Sequence, residues 1–210
     1  MWKALNTLPV ADMKSHEEDA RRQGFSVIAG LDEAGRGPLA GPVVAAAVLL
    51  PPDIDLPGVR DSKQLNARQR ETLCATIFSN ARAVGIGSVE PAEIDRINIL
   101  QATFQAMLLA VQCLPLSPDL LLIDGPYRLP LPIAQAGIPG GDRKSVSIAA
   151  ASIVAKVHRD RIMQAYHVLY PGYGFDRHKG YGTATHLEAI QRLGPCPLHR
   201  KSFRGVCRSS

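Results

Sequence analysis

The sequence predicts an α/β layered fold built on a mixed sheet. Two observations carry this expectation. Short apolar runs suited to buried strands come first and return after a glycine-rich loop, as in a hairpin. Helix-like and strand-like segments then alternate. The 210 residues are enough for one domain with a sizeable core and leave room for a small appendage. With 46% apolar and 20% charged residues, the composition is that of an ordinary soluble globular chain.

Each element has its own signal. Residues 11–23 (ADMKSHEEDARRQ) are polar and helix-prone and stop at Gly24, which predicts a surface helix leading into the fold. Residues 25–31 (FSVIAGL) form an apolar run consistent with a buried strand, ended by the loop DEAGRGPLAGP. Residues 43–50 (VVAAAVLL) predict its hairpin partner, and 51–62 a Pro- and Asp-rich loop. Asn66 is placed to cap a helix over 67–80. Residues 83–89 (AVGIGSV) give a third strand. Pro91 opens one long amphipathic helix with apolar positions at Ile94, Ile97, Leu100, Phe104, Met107, Leu108 and Val111. Residues 120–123 (LLLI) form a short strand ending in Asp124-Gly125-Pro126, followed by a Pro- and Gly-rich connection to Gly141. A long helix over 145–169 begins with small residues (SIAAASIVAK) that let another backbone come close. A Gly/Tyr-rich loop (171–183) and a short helix (185–193) follow.

The net charge of +5 is unevenly spread. Residues 177–210 hold seven Lys/Arg and one acid, Glu188, which leaves 17 basic and 18 acidic groups on the rest of the chain. A basic end on a neutral body reads either as an edge for a polyanion or as a solvated tail. Aromatics at 5% disfavour a surface built on base stacking. Cys74, Cys113, Cys196 and Cys207 form no CxxC pair and have no histidines at zinc-ligand spacing, so they read as reduced structural thiols. No signal-peptide pattern opens the sequence, and the longest apolar stretch, 42–52, is too short to span a bilayer. The expectation is a cytoplasmic protein. A monomer is the default, since no heptad pattern or exposed apolar stripe argues for assembly.

Four of the nineteen carboxylates stand apart. Asp32 and Glu33 follow directly on the apolar SVIAGL run, and Asp124 follows on LLLI. Asp142 comes just after Gly140-Gly141 and before the small-residue helix. Charges at the ends of buried strands are costly unless paired or bound to metal. Ligands of α/β sheets tend to bind beyond the carboxyl ends of strands. Such a group suits Mg2+ or Mn2+, hard cations that take oxygen ligands and keep several waters. The alternative is that each acid caps a helix or turn. Gly35-Arg36-Gly37 lacks both the GK[ST] of a P-loop and the GxGxxG spacing. It reads equally as a tight turn and as backbone amides brought close to a ribose or phosphate. Tyr181, flanked by Gly180 and Gly182, is either a stacking platform or a surface tyrosine. Lys63 and Lys156 are candidates for phosphate contact, with a solvated lysine as the bland alternative.

The stretches Gly30-Leu31-Asp32-Glu33-Ala34-Gly35-Arg36-Gly37-Pro38, Asp61-Ser62-Lys63, Asp124-Gly125, Gly141-Asp142, SIAAASIVAKV (147–157), HKGYGT (178–183) and HRKSF (199–203) run in order along nearly the whole chain. Together they resemble the motifs of the type 2 ribonucleases H, whose bacterial form is ribonuclease HII. The resemblance implies a ribonuclease H-like mixed sheet flanked by helices, with a small helical C-terminal part. Its implied organisation is a polar extension (1–24), a catalytic core (25–170) and a basic region (171–210) completing a substrate groove. It implies that Asp32, Glu33, Asp124 and Asp142 bind Mg2+ or Mn2+. It implies that Gly35, Arg36 and Gly37 read a 2′-hydroxyl and that Tyr181 stacks on the sugar after an RNA-to-DNA junction. The implied substrates are RNA–DNA hybrids and duplex DNA with an embedded ribonucleotide, cut by metal-assisted attack of water to give 5′-phosphate and 3′-hydroxyl ends. Only the 2′-hydroxyl separates RNA from DNA at a given site, so such an enzyme must sense it. The competing classes are a non-catalytic nucleic-acid-binding module and another metal-dependent phosphodiesterase or nucleotidyl transferase.

Overall fold

The computed structural model describes residues 13–59 and 65–207. Among them, strands β1 (Ile28–Ala34), β2 (Val43–Leu49), β3 (Ala83–Val89), β4 (Leu120–Asp124) and β5 (Ala134–Ile138) make one sheet in the order β3-β2-β1-β4-β5. β1 and β2 form the predicted antiparallel hairpin, and β3 continues it antiparallel to β2. β4 lies parallel to β1 and β5 parallel to β4, so the sheet is mixed. The helices are α1 (Ser15–Arg22), α2 (Ala67–Asn80), α3 (Pro91–Ile97), α4 (Ile99–Gln112), α5 (Val146–Leu169), α6 (Phe175–His178) and α7 (Ala184–Leu193).

β2 explains how the layers form. Every residue of VVAAAVL is buried, because both faces of the strand are covered. Val43, Ala45, Ala47 and Leu49 pack into the core under α4, while Ala46 and Val48 pack with α2 and α5. A period of two thus feeds two hydrophobic layers from one strand. The alanines and glycines bring the helices close. A Cβ on Gly30 would run into the backbone of Ser147 and Ile148, at the start of α5. Overpacking costs roughly 1–3 kcal/mol. Gly30→Ala is therefore expected to lower the melting temperature by several degrees, and thermal denaturation checks it. An unchanged melting temperature would mean that α5 can back away from β1.

Caps set the helix starts, at Asn66 as the sequence indicates and at Ser145 as the structure adds. The Asn66 side chain accepts from the Gln69 amide while the Gln69 side chain accepts from the Asn66 amide, a reciprocal capping box. Ser145 caps α5 by accepting from the Ile148 amide.

Four expectations need correction. β1 starts later than predicted and runs on through Asp32 and Glu33, so the acids lie in the strand rather than after it. The single helix from Pro91 is two, broken at Asn98, whose φ of 69° lies in the left-handed region. With ψ at 164° the residue leaves the helical region altogether, and its side chain caps α4 by accepting from the Leu100 and Gln101 amides. β5 lies in the stretch that the sequence presents as a Pro- and Gly-rich connection: AQAGI lacks β-branched residues except at its end, and pairing with β4 makes it a strand. α1 is more than a surface helix. Glu17 is buried and its Oε1 accepts from Ser145 Oγ (2.6 Å) and the Ser147 amide (3.0 Å), which ties α1 to the start of α5.

Candidate active site

The acids gather where the pairing of two parallel strands ends. The β1–β4 register closes at Leu31↔Ile123, so Asp32 and Asp124 are the next residues on adjacent strands. Asp32 is only 6% exposed. Its Oδ1 accepts from the Glu33 amide (2.7 Å), and Ser152 on α5 donates to its carboxyl. Burial holds Asp32 well above the ordinary carboxylate range; the negative charges of Glu33 and Asp124 push the same way, against the Ser152 hydrogen bond. Burial also raises Glu33, opposed by Arg36, whose Nη1 lies 3.3 Å from Glu33 Oε1. Asp124 Oδ1 accepts from the Gly141 amide at 2.6 Å. That bond tethers the turn Gly141–Arg143, which carries Asp142, 5% exposed. Among the described residues, no three His, Cys, Asp or Glu side chains are drawn tightly enough to enclose a metal ion. The donor set nevertheless fits a hard divalent ion, because crowded buried carboxylates are relieved by a cation. Magnesium also uses one or two carboxylates plus waters and substrate phosphate rather than a closed cage.

Next to the acids opens a cleft of about 430 Å³ lined by Glu33, Gly35, Arg36, Gly37, Arg70, Ser152, Lys156, Arg159 and Tyr181, among others. It brings five of the six predicted contact residues together: Gly35, Arg36, Gly37, Lys156 and Tyr181. Gly35 has φ +98°, which glycine adopts without strain. A Cβ on Gly37 would sit 3.8 Å from Tyr181 Cε1, so loop and tyrosine face each other. Arg36 also lies over the Tyr127 ring, 5.7 Å from its centre. Lys156 pairs with Asp160, and burial keeps its pKa below the ordinary lysine value. Lys63 lies outside the described residues. Ser152, Arg70 and Tyr127 were not singled out from the sequence. Ser152 sat within the conspicuous small-residue block, whereas Arg70 and Tyr127 gave no local signal.

Tyr181 is half-exposed, yet its backbone is held by a histidine network. A carbonyl can only accept, so His186 Nδ1–H donates to the Tyr181 carbonyl (2.9 Å). His186 Nε2 must then accept from His199 Nε2–H (3.1 Å), and His199 Nδ1 accepts from the Cys196 amide (3.0 Å). The Tyr181 amide donates to the His178 carbonyl (2.9 Å), and His178 stacks on His186 with ring centres 4.3 Å apart. The chain works only with His186 and His199 neutral. Burial lowers the pKa of all three histidines, His186 to about 4. An unfolded histidine protonates near pH 6.5. Between about pH 6.5 and 4 the unfolded chain therefore binds more protons, so this stability is complete above 6.5 and is lost as pH falls toward 4. Melting temperatures from pH 7.5 to 4.5 are expected to fall in that window, and less steeply in His186→Gln. Equal slopes would remove His186 as the cause.

The basic C-terminal end divides in two. Arg177, Arg192, Lys201 and Arg204 are exposed, but Arg200 is 0% exposed and belongs to the interior. Asp95 on α3 fixes the turn beside it by accepting from the Lys201 (2.8 Å) and Ser202 (2.9 Å) amides.

A mixed sheet with crowded carboxylates where the β1–β4 pairing ends, beside a cationic cleft, is the layout of a ribonuclease H-like nuclease. The chain belongs to the ribonuclease HII family, whose model matches residues 29–206. It is 68% identical over 195 residues to the ribonuclease HII of Syntrophobacter fumaroxidans, covering 93% of this chain and 84% of the relative. It is 60% identical over 190 residues to that of Geobacter sulfurreducens, covering 90% and 88%. Among solved structures it resembles the ribonuclease H2 of Pyrococcus horikoshii, with a TM-score of 0.73 at 27% identity over 86% of this chain and 95% of that one. Among the described residues, no helix is long and apolar enough to cross a membrane.

Proposed function

We propose that this ribonuclease H cuts the RNA strand of RNA–DNA hybrids and incises duplex DNA at an embedded ribonucleotide, leaving 5′-phosphate and 3′-hydroxyl ends. The observation that carries the reading is the cleft beside the acids: Glu33, the Gly35-Arg36-Gly37 loop and Tyr181 line it, and Glu33 adjoins the buried Asp32.

Asp32, Glu33, Asp124 and Asp142 hold Mg2+ or Mn2+ in this reading. When bound, such ions activate water and stabilise the leaving oxygen of a phosphodiester displacement. The protein's own groups do the rest. The Arg36 and Gly37 amides meet the 2′-hydroxyl beside the cut, and Arg36 holds Glu33 in place. Tyr181 stacks on the sugar just past the RNA-to-DNA junction. Lys156 and Lys63 contact flanking phosphates. The exposed cations of the 171–210 region grip the DNA strand, so affinity falls with salt. Because Arg200 is buried there, substitutions of Lys201 and Arg204 test the grip more cleanly than removal of the whole segment. The free thiols fit a reducing, cytoplasmic setting.

The test is a substrate panel with magnesium: an RNA–DNA hybrid, duplex DNA with one ribonucleotide, all-DNA duplex, single-stranded RNA and double-stranded RNA. Cleavage is expected only of the hybrid and, on the 5′ side of the ribonucleotide, of the substituted duplex. Binding of that duplex without any cleavage would replace the enzyme by a binding module. Cleavage of all-DNA duplex would point to a general phosphodiesterase.

A further inference from the structure

Beneath the glycine loop lie two arginines that the proposed mechanism does not use. Arg159 on α5 is 1% exposed and Arg200 is 0% exposed. Buried cations normally have an acidic partner. Among the described residues, neither guanidinium has a carboxylate at ion-pair distance. Both are instead bonded to main-chain carbonyls of the 35–42 segment. Arg159 donates to Pro42 (2.9 Å) and Ala40 (3.1 Å). Arg200 donates to Gly41 through Nε (2.9 Å) and Nη2 (2.8 Å), to Gly35 through Nη2 (2.6 Å) and to Arg36 through Nη1 (3.0 Å).

The last two bonds have a directional consequence. The Gly35 carbonyl shares a peptide plane with the Arg36 amide, and the Arg36 carbonyl shares one with the Gly37 amide. In a trans peptide, C=O and N–H point in opposite directions, and no peptide bond here is cis. Pulling both carbonyls inward turns both amides away from the guanidinium. Among the described residues neither amide has an acceptor, whereas the Leu39 and Gly41 amides donate to the Gly180 and Leu198 carbonyls, each at 2.8 Å.

We propose that Arg200, seated beside Arg159, is a positioning residue: its forked bonds to the Gly35 and Arg36 carbonyls aim the Arg36 and Gly37 amides at the ribose 2′-hydroxyl and thereby set selectivity for a ribonucleotide. This rests on the functional reading above. Lysine keeps the charge but loses the planar fork.

The test compares wild type and Arg200→Lys on duplexes carrying either one ribonucleotide or one 2′-fluoro-2′-deoxyribonucleotide, which lacks a strong acceptor at that position. Wild type is expected to favour the ribonucleotide strongly. In Arg200→Lys, kcat/KM on the ribonucleotide is expected to fall about 10²-fold, the size of losing an aimed donor, while the 2′-fluoro rate changes little, so the preference collapses. Equal losses on both substrates would make Arg200 merely structural and overturn the proposal. A wild type indifferent to the 2′ group would instead overturn the functional reading. Amide exchange in the wild-type protein needs no variant. Arg36 and Gly37 are expected to exchange freely while Leu39 and Gly41 are protected, and protection of the first pair would overturn the outward aim.

Discussion

Asp124→Asn is expected to leave the protein folded while lowering hybrid cleavage by about 10³-fold. The fold survives because Asn retains an oxygen that can accept from the Gly141 amide, the bond that tethers the Asp142 turn. What disappears is a negative charge one residue past the β1–β4 pairing, beside Asp32 and Glu33. Removing it relieves repulsion on both neighbours, so the melting temperature without divalent ion should stay level or rise. The hold on a divalent ion weakens for the same reason. Charge stabilisation by bound metal is worth several kcal/mol, and about 4 kcal/mol corresponds to roughly 10³-fold in rate. Single-turnover cleavage with magnesium, paired with a thermal melt, reads both effects. A folded Asp124→Asn protein within tenfold of wild type would remove Asp124 from the centre of the mechanism.

Gly37→Ala should separate fold from activity in a second way. Gly37 is not among the positive-φ glycines. The nearest atom to an added Cβ is Tyr181 Cε1 at 3.8 Å, an ordinary contact. The protein should therefore fold with an unchanged melting temperature. The methyl group, however, stands between the loop and Tyr181, where the proposed function places the nucleic-acid backbone. A displacement of about 1 Å at a reacting centre can cost about 10²-fold, and a loss of that order in kcat/KM is expected on the single-ribonucleotide duplex. Gly35→Ala is the contrasting control: its φ is +98° and its Cβ would collide with the Arg159 side chain, so it should lose stability as well. Full activity in Gly37→Ala would mean that substrate does not pass between loop and tyrosine.

Features under local chemical control were legible in the sequence. Apolar runs marked β2, β3 and β4, and Asn66 marked where α2 begins. These signals hold because strand alternation and helix caps depend on residues only two to four apart. The position of acids against apolar runs likewise singled out Asp32, Glu33 and Asp124. The remainder follows from contacts between distant segments. β5 is a strand through pairing with β4 despite a weak pattern, and Asn98 breaks a helix whose apolar periodicity runs straight through it. The basic C-terminal end reads as uniformly solvated or substrate-facing, yet Arg200 lies inside it as a buried anchor. The carbonyls that satisfy Arg159 and Arg200 lie 117 to 165 residues away along the chain. A window of sequence carries no trace of such partners, because a guanidinium can be satisfied by backbone carbonyls irrespective of the side chains that bear them. Only the folded path that brings the 35–42 loop onto α5 and the C-terminal turn selects which carbonyls they are.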